Sequence, residues 1–179
     1  MMNKKHRGVT LPELLGAIVI LGLVTSLLGT VAYAMIRGID RISVNQTAET
    51  TGLALVRYLE KTMEDSHPNT YSTTCEPAGG CIVLIQEYTY VYDAVTGSIS
   101  PLVHPTPLET EIAVHSTGIL VNGVPLEMGS FTLSPTSTLV VSSTPTRTTV
   151  TFSFALVAAD GRSFPFTAVF SFTTSTIPA

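Results

Sequence analysis

Charged residues are scarce in this chain of 179 residues: they make up 12% of it, against 45% hydrophobic residues. The basic residues form no patch outside the first seven positions, and the formal net charge is −4 at pH 7. Nucleic-acid binding depends on lysine and arginine that neutralise phosphates. Direct nucleic-acid binding by the bulk of the chain is therefore not expected.

Cysteine is rarer still, and the two residues, Cys75 and Cys81, are separated by the turn-forming sequence EPAGG. In an oxidising compartment this spacing favours a small disulfide loop, with two free thiols as the alternative. A redox-active pair is not indicated, because the spacing is not C-x-x-C and no basic residue adjoins either thiol to lower its pKa.

Motifs of catalysis and of cofactor binding are missing as well. The four histidines are scattered, and none has a second ligand at the spacing of a metal site. The sequence contains no P-loop, no dinucleotide-binding fingerprint and no G-x-S-x-G motif. We therefore expect no enzymatic activity, no catalytic residues, no metal and no cofactor.

What the chain does have is a long apolar segment near its amino terminus. Leu14 to Ile36 contains no charged residue and is long enough for a helix that crosses a bilayer. Lys4, Lys5 and Arg7 precede this segment, which predicts a cytoplasmic amino terminus and an extracytoplasmic remainder.

Two ordinary interpretations of the apolar segment are available. A secretory signal peptide fits the basic start, and the sequence VAYA, which ends at Ala34, offers a cleavage site before Met35. The product would be a secreted or anchored β-rich binding module that forms no filament. A plain membrane anchor fits the length. Neither interpretation gives a role to Glu13, a carboxylate at the edge of the apolar segment, where burial is costly without a partner.

A third interpretation accounts for this acid. The sequence GVTLPELL, from Gly8 to Leu15, resembles the processing motif of type IV prepilins and pseudopilins. The resemblance implies cleavage after Gly8 by a prepilin peptidase and methylation of the new terminus at Val9, although valine replaces the more common phenylalanine. Glu13 becomes the fifth mature residue, which in the family is thought to pair with the terminal amine of a neighbouring subunit. Pro12, at the fourth position, suits the first turn of a helix.

The resemblance implies several partners and a location. The partners are homologous pilin subunits in a filament, a prepilin peptidase and methyltransferase, an inner-membrane assembly platform and, before assembly, membrane lipid. The chain would be a single-pass membrane protein with an extracytoplasmic head. A β-rich head is more similar to those of minor pilins or minor pseudopilins than to those of small major pilins, while the family serves pili, secretion and DNA uptake.

The predicted fold is α+β, with a long helix packed on an antiparallel β-rich head. Four parts are expected: a leader over residues 1–8, an apolar helix over 9–36, its amphipathic continuation over 37–66, and the head over 67–179. The continuation should end before Pro68 and contain weak points at Gly38 and Gly52. Its apolar stripe is predicted at three- and four-residue spacing: Leu53, Leu55, Val56, Leu59 and Met63.

Beyond about residue 80 the hydrophobic period changes to two, as in strands. Asn122-Gly123, between apolar runs, predicts a hairpin, and His104 to Pro107 predicts a linker or an edge. A final hairpin is predicted around Asp160-Gly161. Its two strands should turn alternate apolar residues toward a core: Val150, Phe152, Phe154, Leu156, Phe164, Phe166, Ala168, Phe170 and Phe172.

Overall fold

The computed structural model describes residues 10–74 and 80–174. These residues form one helix and nine strands, all paired antiparallel, so the predicted α+β class is confirmed. The chain divides into two compact units, Met1–Asn45 and Gln46–Ala179, and the helix contributes to both.

The helix, α1, runs without interruption over Leu11–Asp65. It ends as predicted before Pro68, because a proline disfavours helical conformation in the preceding residue. That residue, His67, has a left-handed φ of 40°. Its N–H donates to the carbonyl of Glu64 at 3.2 Å, which closes the last turn.

The amino-terminal unit exposes its helical residues on every side. No residue of α1 from Leu11 to Asn45 is buried in the single chain. The helix is long and apolar enough to cross a membrane. No residue of its most apolar stretch is buried.

Within the second unit, five strands form one antiparallel sheet in sequential order. They are β1 (Thr70–Ser72), β2 (Cys81–Asp93), β3 (Ser98–His115), β4 (Gly118–Val121) and β5 (Val124–Pro125). The predicted hairpin at Asn122-Gly123 is confirmed between β4 and β5, with φ angles of 52° and 77°. The Asn122 side chain also accepts the N–H of Glu111 at 2.8 Å, which ties the turn to β3.

The long β2–β3 hairpin reaches beyond the other strands of this sheet. β2 and β3 pair from Cys81 opposite Ala113 to Asp93 opposite Ser98, with a register shift between Gln86 and Tyr88. Of the two alternatives predicted for residues 104–107, a linker is wrong and an edge is confirmed: these residues lie within β3, opposite the register shift, and no described strand pairs on their other side. The extended backbone tolerates both prolines there, since the ladder with β2 is interrupted at that point.

The second sheet contains β6 (Thr132–Leu133), β7 (Thr138–Ser143), β8 (Thr148–Val157) and β9 (Ser163–Phe172). β8 is its centre: β6 and β7 pair along one side and β9 along the other. The predicted alternation is confirmed, because Val150, Phe152, Phe154 and Leu156 are all buried and β9 turns its even-numbered residues inward.

The carboxy-terminal part of α1 packs on these sheets through a stripe that differs from the predicted one. Leu55, Leu59 and Met63 are buried as expected, whereas Leu53 remains 46% exposed. The stripe continues instead through Ala48 and Gly52. Leu53 lies 100° around the helix from Gly52, which turns it away from the sheet.

Gly52 is a packing position rather than a weak point. The ring of Phe166 on β9 lies directly against it, and a Cβ atom there would overlap the ring. Phe166 in turn stacks on Phe154 of β8, with ring centroids 5.5 Å apart. Glycine therefore allows the helix backbone to approach an aromatic pair of the second sheet.

Candidate functional site

The start of α1 is built as a helix cap by two of the residues in the predicted processing motif. Thr10 precedes the helix, and its carbonyl accepts the first helical N–H, that of Leu14, at 3.2 Å. The Glu13 carboxylate accepts the Thr10 N–H at 3.0 Å and the Thr10 hydroxyl at 2.9 Å. A threonine followed three residues later by a glutamate that bonds back to it is half of a capping box.

This cap gives Glu13 a partner inside its own chain. Neither Thr10 nor Glu13 is buried, and the negative charge lies in the first turn, where it offsets the positive end of the helix dipole. The sequence already carried the signal for this cap, T-x-x-E before an apolar run, but our sequence interpretation assigned Glu13 only an intermolecular role.

Pro12 occupies the second position of the helix, which lies within the first turn that the sequence predicted for it. The first-turn N–H groups of a helix have no helical acceptor, so a proline there removes no backbone hydrogen bond. The fixed φ of proline suits the helical conformation at the point where the carboxylate must fold back onto Thr10.

Beyond the cap, the helix surface is apolar on all sides. Two of its hydroxyls bond within the helix: the Thr25 hydroxyl donates to the Leu21 carbonyl at 2.6 Å, and the Thr30 hydroxyl donates to the Leu27 carbonyl at 2.8 Å. Such back-bonding gives these two donors a partner that an apolar environment would not supply. The exposed large apolar residues are Leu11, Leu14, Leu15, Ile18, Val19, Ile20, Leu21, Leu23, Val24, Leu27, Leu28, Val31, Met35 and Ile36.

The apolar surface ends where arginine first appears on the helix. The Arg37 guanidinium lies over the Tyr33 ring, 4.6 Å from its centroid. A tyrosine and an arginine in contact suit the boundary between hydrocarbon and water, because both combine an apolar body with a polar tip.

Glycines interrupt the apolar helix without any packing reason inside one chain. At Gly16, Gly22 and Gly29, an added Cβ would meet no other heavy atom within 4 Å. Each glycine costs an isolated helix about 1 kcal/mol relative to alanine. The surface of the helix is therefore not shaped by contacts within its own chain at these positions.

Gly8, Val9 and Cys75 lie outside the described residues, so cleavage, methylation and the Cys75–Cys81 disulfide stay predictions. Cys81 is buried at the first position of β2.

The described part of the head was examined for clusters of metal-ligating side chains and for grooves. Among residues 10–74 and 80–174, no group of three or more histidine, cysteine, aspartate or glutamate side chains could hold a metal ion. An open groove lies beside the end of α1. The residues that line it come from the end of α1, the segment after it and β9: Glu60, Met63, Glu64, His67, Pro68, Val169, Phe170, Ser171 and Phe172.

Comparison with known proteins finds a known motif at the start of α1. Residues 3–29 match the family model described as the prokaryotic N-terminal methylation motif, which covers the cap and much of the apolar segment. No curated protein and no solved structure matches the chain significantly. The matched motif and the transmembrane-capable helix fit a membrane-anchored pilin with a C-terminal head, and they agree with the resemblance of residues 8–15 to type IV prepilins and pseudopilins.

Proposed function

We propose that this chain is a filament subunit of a type IV pilus or of a related pseudopilus. The leader is cleaved after Gly8 by a prepilin peptidase, the new terminus at Val9 is methylated, and subunits leave the membrane to pack through their apolar helices. The observation that supports this proposal best is the methylation motif followed by a helix that is apolar on every side and uncovered within its own chain.

The proposed role of Glu13 is to pair with the terminal amine of a neighbouring subunit. In the single chain its carboxylate is bound to Thr10 by two hydrogen bonds. Pairing in a filament would add a cationic partner to a group already held in position, and a charge-assisted bond is about twice as strong as a neutral one. Transfer from lipid to a filament core exchanges one apolar environment for another, so a specific polar contact can set the register of the helices.

The decisive variant is Glu13→Gln, because it separates the two roles of this residue. Glutamine is also found at this position of a capping box, so the helix start can still form. The charge, however, is lost. We expect normal cleavage and normal membrane levels, but at least a tenfold drop in incorporation into filaments, measured by shearing and immunoblotting, since a charged hydrogen bond contributes about 1.5 to 3 kcal/mol.

The matched control is Thr10→Val, which removes the hydroxyl that donates to Glu13 and leaves both the backbone N–H and the carboxylate in place. Incorporation should change less than in Glu13→Gln. Equal loss in both variants would indicate that Glu13 acts only through the cap, and normal incorporation of Glu13→Gln would exclude the pairing.

The alternative function is a secreted or anchored β-rich binding module without a filament. The mass of the mature protein separates the two proposals, because a chain that starts at Val9 supports the pilin and one that starts at Met35 supports the module. Either outcome places the head outside the cytoplasm, where the proposed Cys75–Cys81 disulfide would form.

The proposed partners follow from this function: other pilin subunits, the peptidase and methyltransferase, an inner-membrane assembly platform and, before assembly, lipid. A minor subunit that starts or caps the filament is proposed on the strength of the nine-stranded content of the described head. Coexpression of the chain with a major pilin, followed by quantification of the ratio of the two in sheared filaments, tests that role.

A further inference from the structure

We propose that the free edge of strand β9 is a docking site for an extended, basic segment of another protein. Such a segment pairs with the backbone of β9 as an additional strand, a mode of recognition known as β-augmentation. The site lies wholly within the second unit of the chain. The proposal therefore does not depend on how the apolar helix assembles, and its test is separate from that of the proposed function.

The hydrogen bonds of β8 show which backbone groups of β9 are free. Ala155 of β8 uses both of its backbone groups on the side of β6 and β7: its carbonyl accepts the N–H of Ser134 at 2.8 Å, and its N–H donates to the Ser137 hydroxyl at 3.3 Å. Ala155 therefore forms a non-hydrogen-bonded pair with its partner on β9, Pro165. In such a pair the backbone groups of both residues point away from each other, so those of Pro165 face the free edge of β9.

The two halves of this edge differ in what they offer to a new strand. The register of β8 with β9 is continuous, so the odd-numbered residues of β9 all present their backbone groups to the free edge. Pro165 has no N–H, and a proline on an edge strand protects it against pairing. Thr167, Val169 and Ser171 keep their N–H groups, which have no acceptor within residues 10–74 and 80–174. The carboxy-terminal half of β9 is therefore open to pairing.

A groove of about 610 Å³ lies beside this open half of the edge. Its lining includes β9 from Val169 to Phe172 on one side and the end of α1 on the other. Val169 is 61% exposed, and Phe170 and Phe172 are only partly buried, so apolar surface remains uncovered next to the free N–H groups. The volume is in the range of known ligand sites, which gives room for the side chains of a short extended segment.

Charge indicates the chemistry of that segment. Glu60, Met63 and Glu64 share one face of α1, because they lie three and four residues apart, and all three line the groove. Both glutamates are exposed, and neither forms an ion pair with another described residue. No lysine or arginine lines the groove. A basic residue of the incoming strand would be attracted to the two carboxylates, whereas an acidic one would be repelled.

The alternation of a strand sets the order of the side chains. The even-numbered residues of β9 face α1, as the packing of Phe166 on Gly52 shows, so every second residue of an added strand faces α1 as well. One of these residues would contact Phe170 and Met63, and the next would reach the glutamates. The segment that fits therefore alternates basic and apolar residues on its helix-facing side.

A second copy of this chain does not supply such a segment. None of the described strands contains a lysine or an arginine. The residues that follow Phe172, TTSTIPA, contain none either, so the carboxy terminus of the chain lacks the required charge. The occupant is therefore a segment of a different polypeptide.

Binding of defined peptides to the full chain in detergent, measured by isothermal titration calorimetry, tests the proposal. The basic probe is acetyl-Thr-Lys-Thr-Val-Thr-Lys-Thr-amide, whose lysines and valine share one face of a strand. One control peptide carries glutamate in place of both lysines. The other is the basic probe with methyl groups on the nitrogens of its two central threonines, which lie opposite odd-numbered residues of β9 and pair with them.

We expect both control peptides to bind at least tenfold more weakly than the basic probe, because one loses the charge and the other loses the backbone donors. No binding of the basic probe would overturn the proposal. Equal binding of the acidic control would exclude the role of the carboxylates, and equal binding of the methylated control would exclude strand pairing.

Amide hydrogen exchange locates the bound peptide. The N–H groups of Thr167, Val169 and Ser171 should exchange at least tenfold more slowly when the basic probe is bound, because they then have acceptors. The N–H of Ser163, on the same edge but beyond Pro165, should not change. Protection elsewhere without protection of these three groups would place the peptide at another site and contradict the proposal.

Two substitutions of one residue separate backbone pairing from side-chain contact. Val169→Pro removes a free N–H and reproduces the arrangement at Pro165, whereas Val169→Thr keeps the N–H and a β-branched side chain. The first should weaken binding of the basic probe at least tenfold and the second less than threefold. Both should melt like the unaltered protein, since this N–H takes no part in the ladder with β8. Equal affinities of the two variants would argue against pairing at this edge.

A third variant leaves β9 unaltered. The double substitution Glu60→Gln and Glu64→Gln should weaken binding of the basic probe at least fivefold at low salt. This difference from the unaltered protein should shrink at high salt, because exposed charges are screened. An unchanged affinity at low salt would show that the carboxylates do not select a basic segment.

Discussion

The two parts of helix α1 are continuous in backbone and opposite in environment. From Leu11 to Asn45 no helical residue is buried, whereas Ala48, Gly52, Leu55, Leu59 and Met63 form a covered stripe in the second part. Helical geometry is the same in both, so burial is decided by what lies beside the helix. The first part needs a covering that its own chain does not supply, and lipid or other subunits provide it in the proposed function.

The largest expected effect comes from truncating a buried leucine in the second part of α1, with an exposed leucine in the first part as the comparison. Leu59 is 0% exposed and Leu23 is 62% exposed. Leu59→Ala should lower the free energy of unfolding of the head by about 3 kcal/mol, because it leaves a cavity in the core. Leu23→Ala should change it by less than about 0.5 kcal/mol.

Denaturant unfolding of the full chain in detergent, followed by near-ultraviolet circular dichroism of the head tyrosines, measures both variants. A head destabilised equally by the two changes would show that the parts of α1 are not energetically distinct.

Glycine gives the second comparison. Gly52→Ala should lower the free energy of unfolding by about 1 to 2 kcal/mol, because overpacking against Phe166 outweighs the gain in helix propensity. Gly38→Ala meets no heavy atom within 4 Å, so the same substitution there should be neutral or stabilising.

Thermal melting of the two glycine variants under identical conditions is the measurement. If Gly52→Ala melted at or above the temperature of the unaltered protein, the proposed close approach of helix and ring would be wrong.

The smallest expected effect concerns pH and is confined to the head. Two hydrogen bonds from Arg162 hold the pKa of Asp160 below its usual range: the first is donated by the backbone N–H, and the second by the guanidinium, whose Nε lies 2.6 Å from the carboxylate. A lowered pKa means that the ionised form stabilises the β8–β9 turn above the pKa of the unfolded chain. This stabilisation is lost as the pH falls through the lower, folded pKa.

Nuclear magnetic resonance titration of the Asp160 carboxyl carbon should find its midpoint below that of a free aspartate. Asp160→Asn should abolish the accompanying pH dependence of the Arg162 amide shift. A midpoint at the ordinary value would contradict the hydrogen bonds at this turn.

Much of the head followed from the sequence because its signals are local. The alternation of Val150, Phe152, Phe154 and Leu156 requires only a period of two, and Asn122-Gly123 requires only a turn with two left-handed residues. The cap of α1 was equally visible as T-x-x-E, but its intramolecular bond was overlooked in favour of a partner in another subunit.

What the sequence could not provide depends on distant residues. No residue near Gly52 in the sequence indicates that Phe166, more than a hundred positions later, lies against it. From the sequence alone, this glycine is therefore predicted to be a weak point of the helix. Leu53 is predicted to be buried because it is hydrophobic, but the residue that packs against the sheet at this point is Gly52. The extension of β3 through residues 104–107 depends on its partner strand, which no local pattern reveals in a segment with two prolines.

The packing of the Phe166 ring against Gly52 has a mechanical consequence. A ring held against a bare backbone resists sliding and rotation of the helix, because a step of one residue in either direction would bring the side chain of Thr51 or Leu53 into the ring. Tension applied along α1 would therefore be transmitted at this point to the centre of the second sheet, where Phe154 stands behind Phe166. In a filament under load, this contact would make the second sheet move together with the carboxy-terminal part of α1.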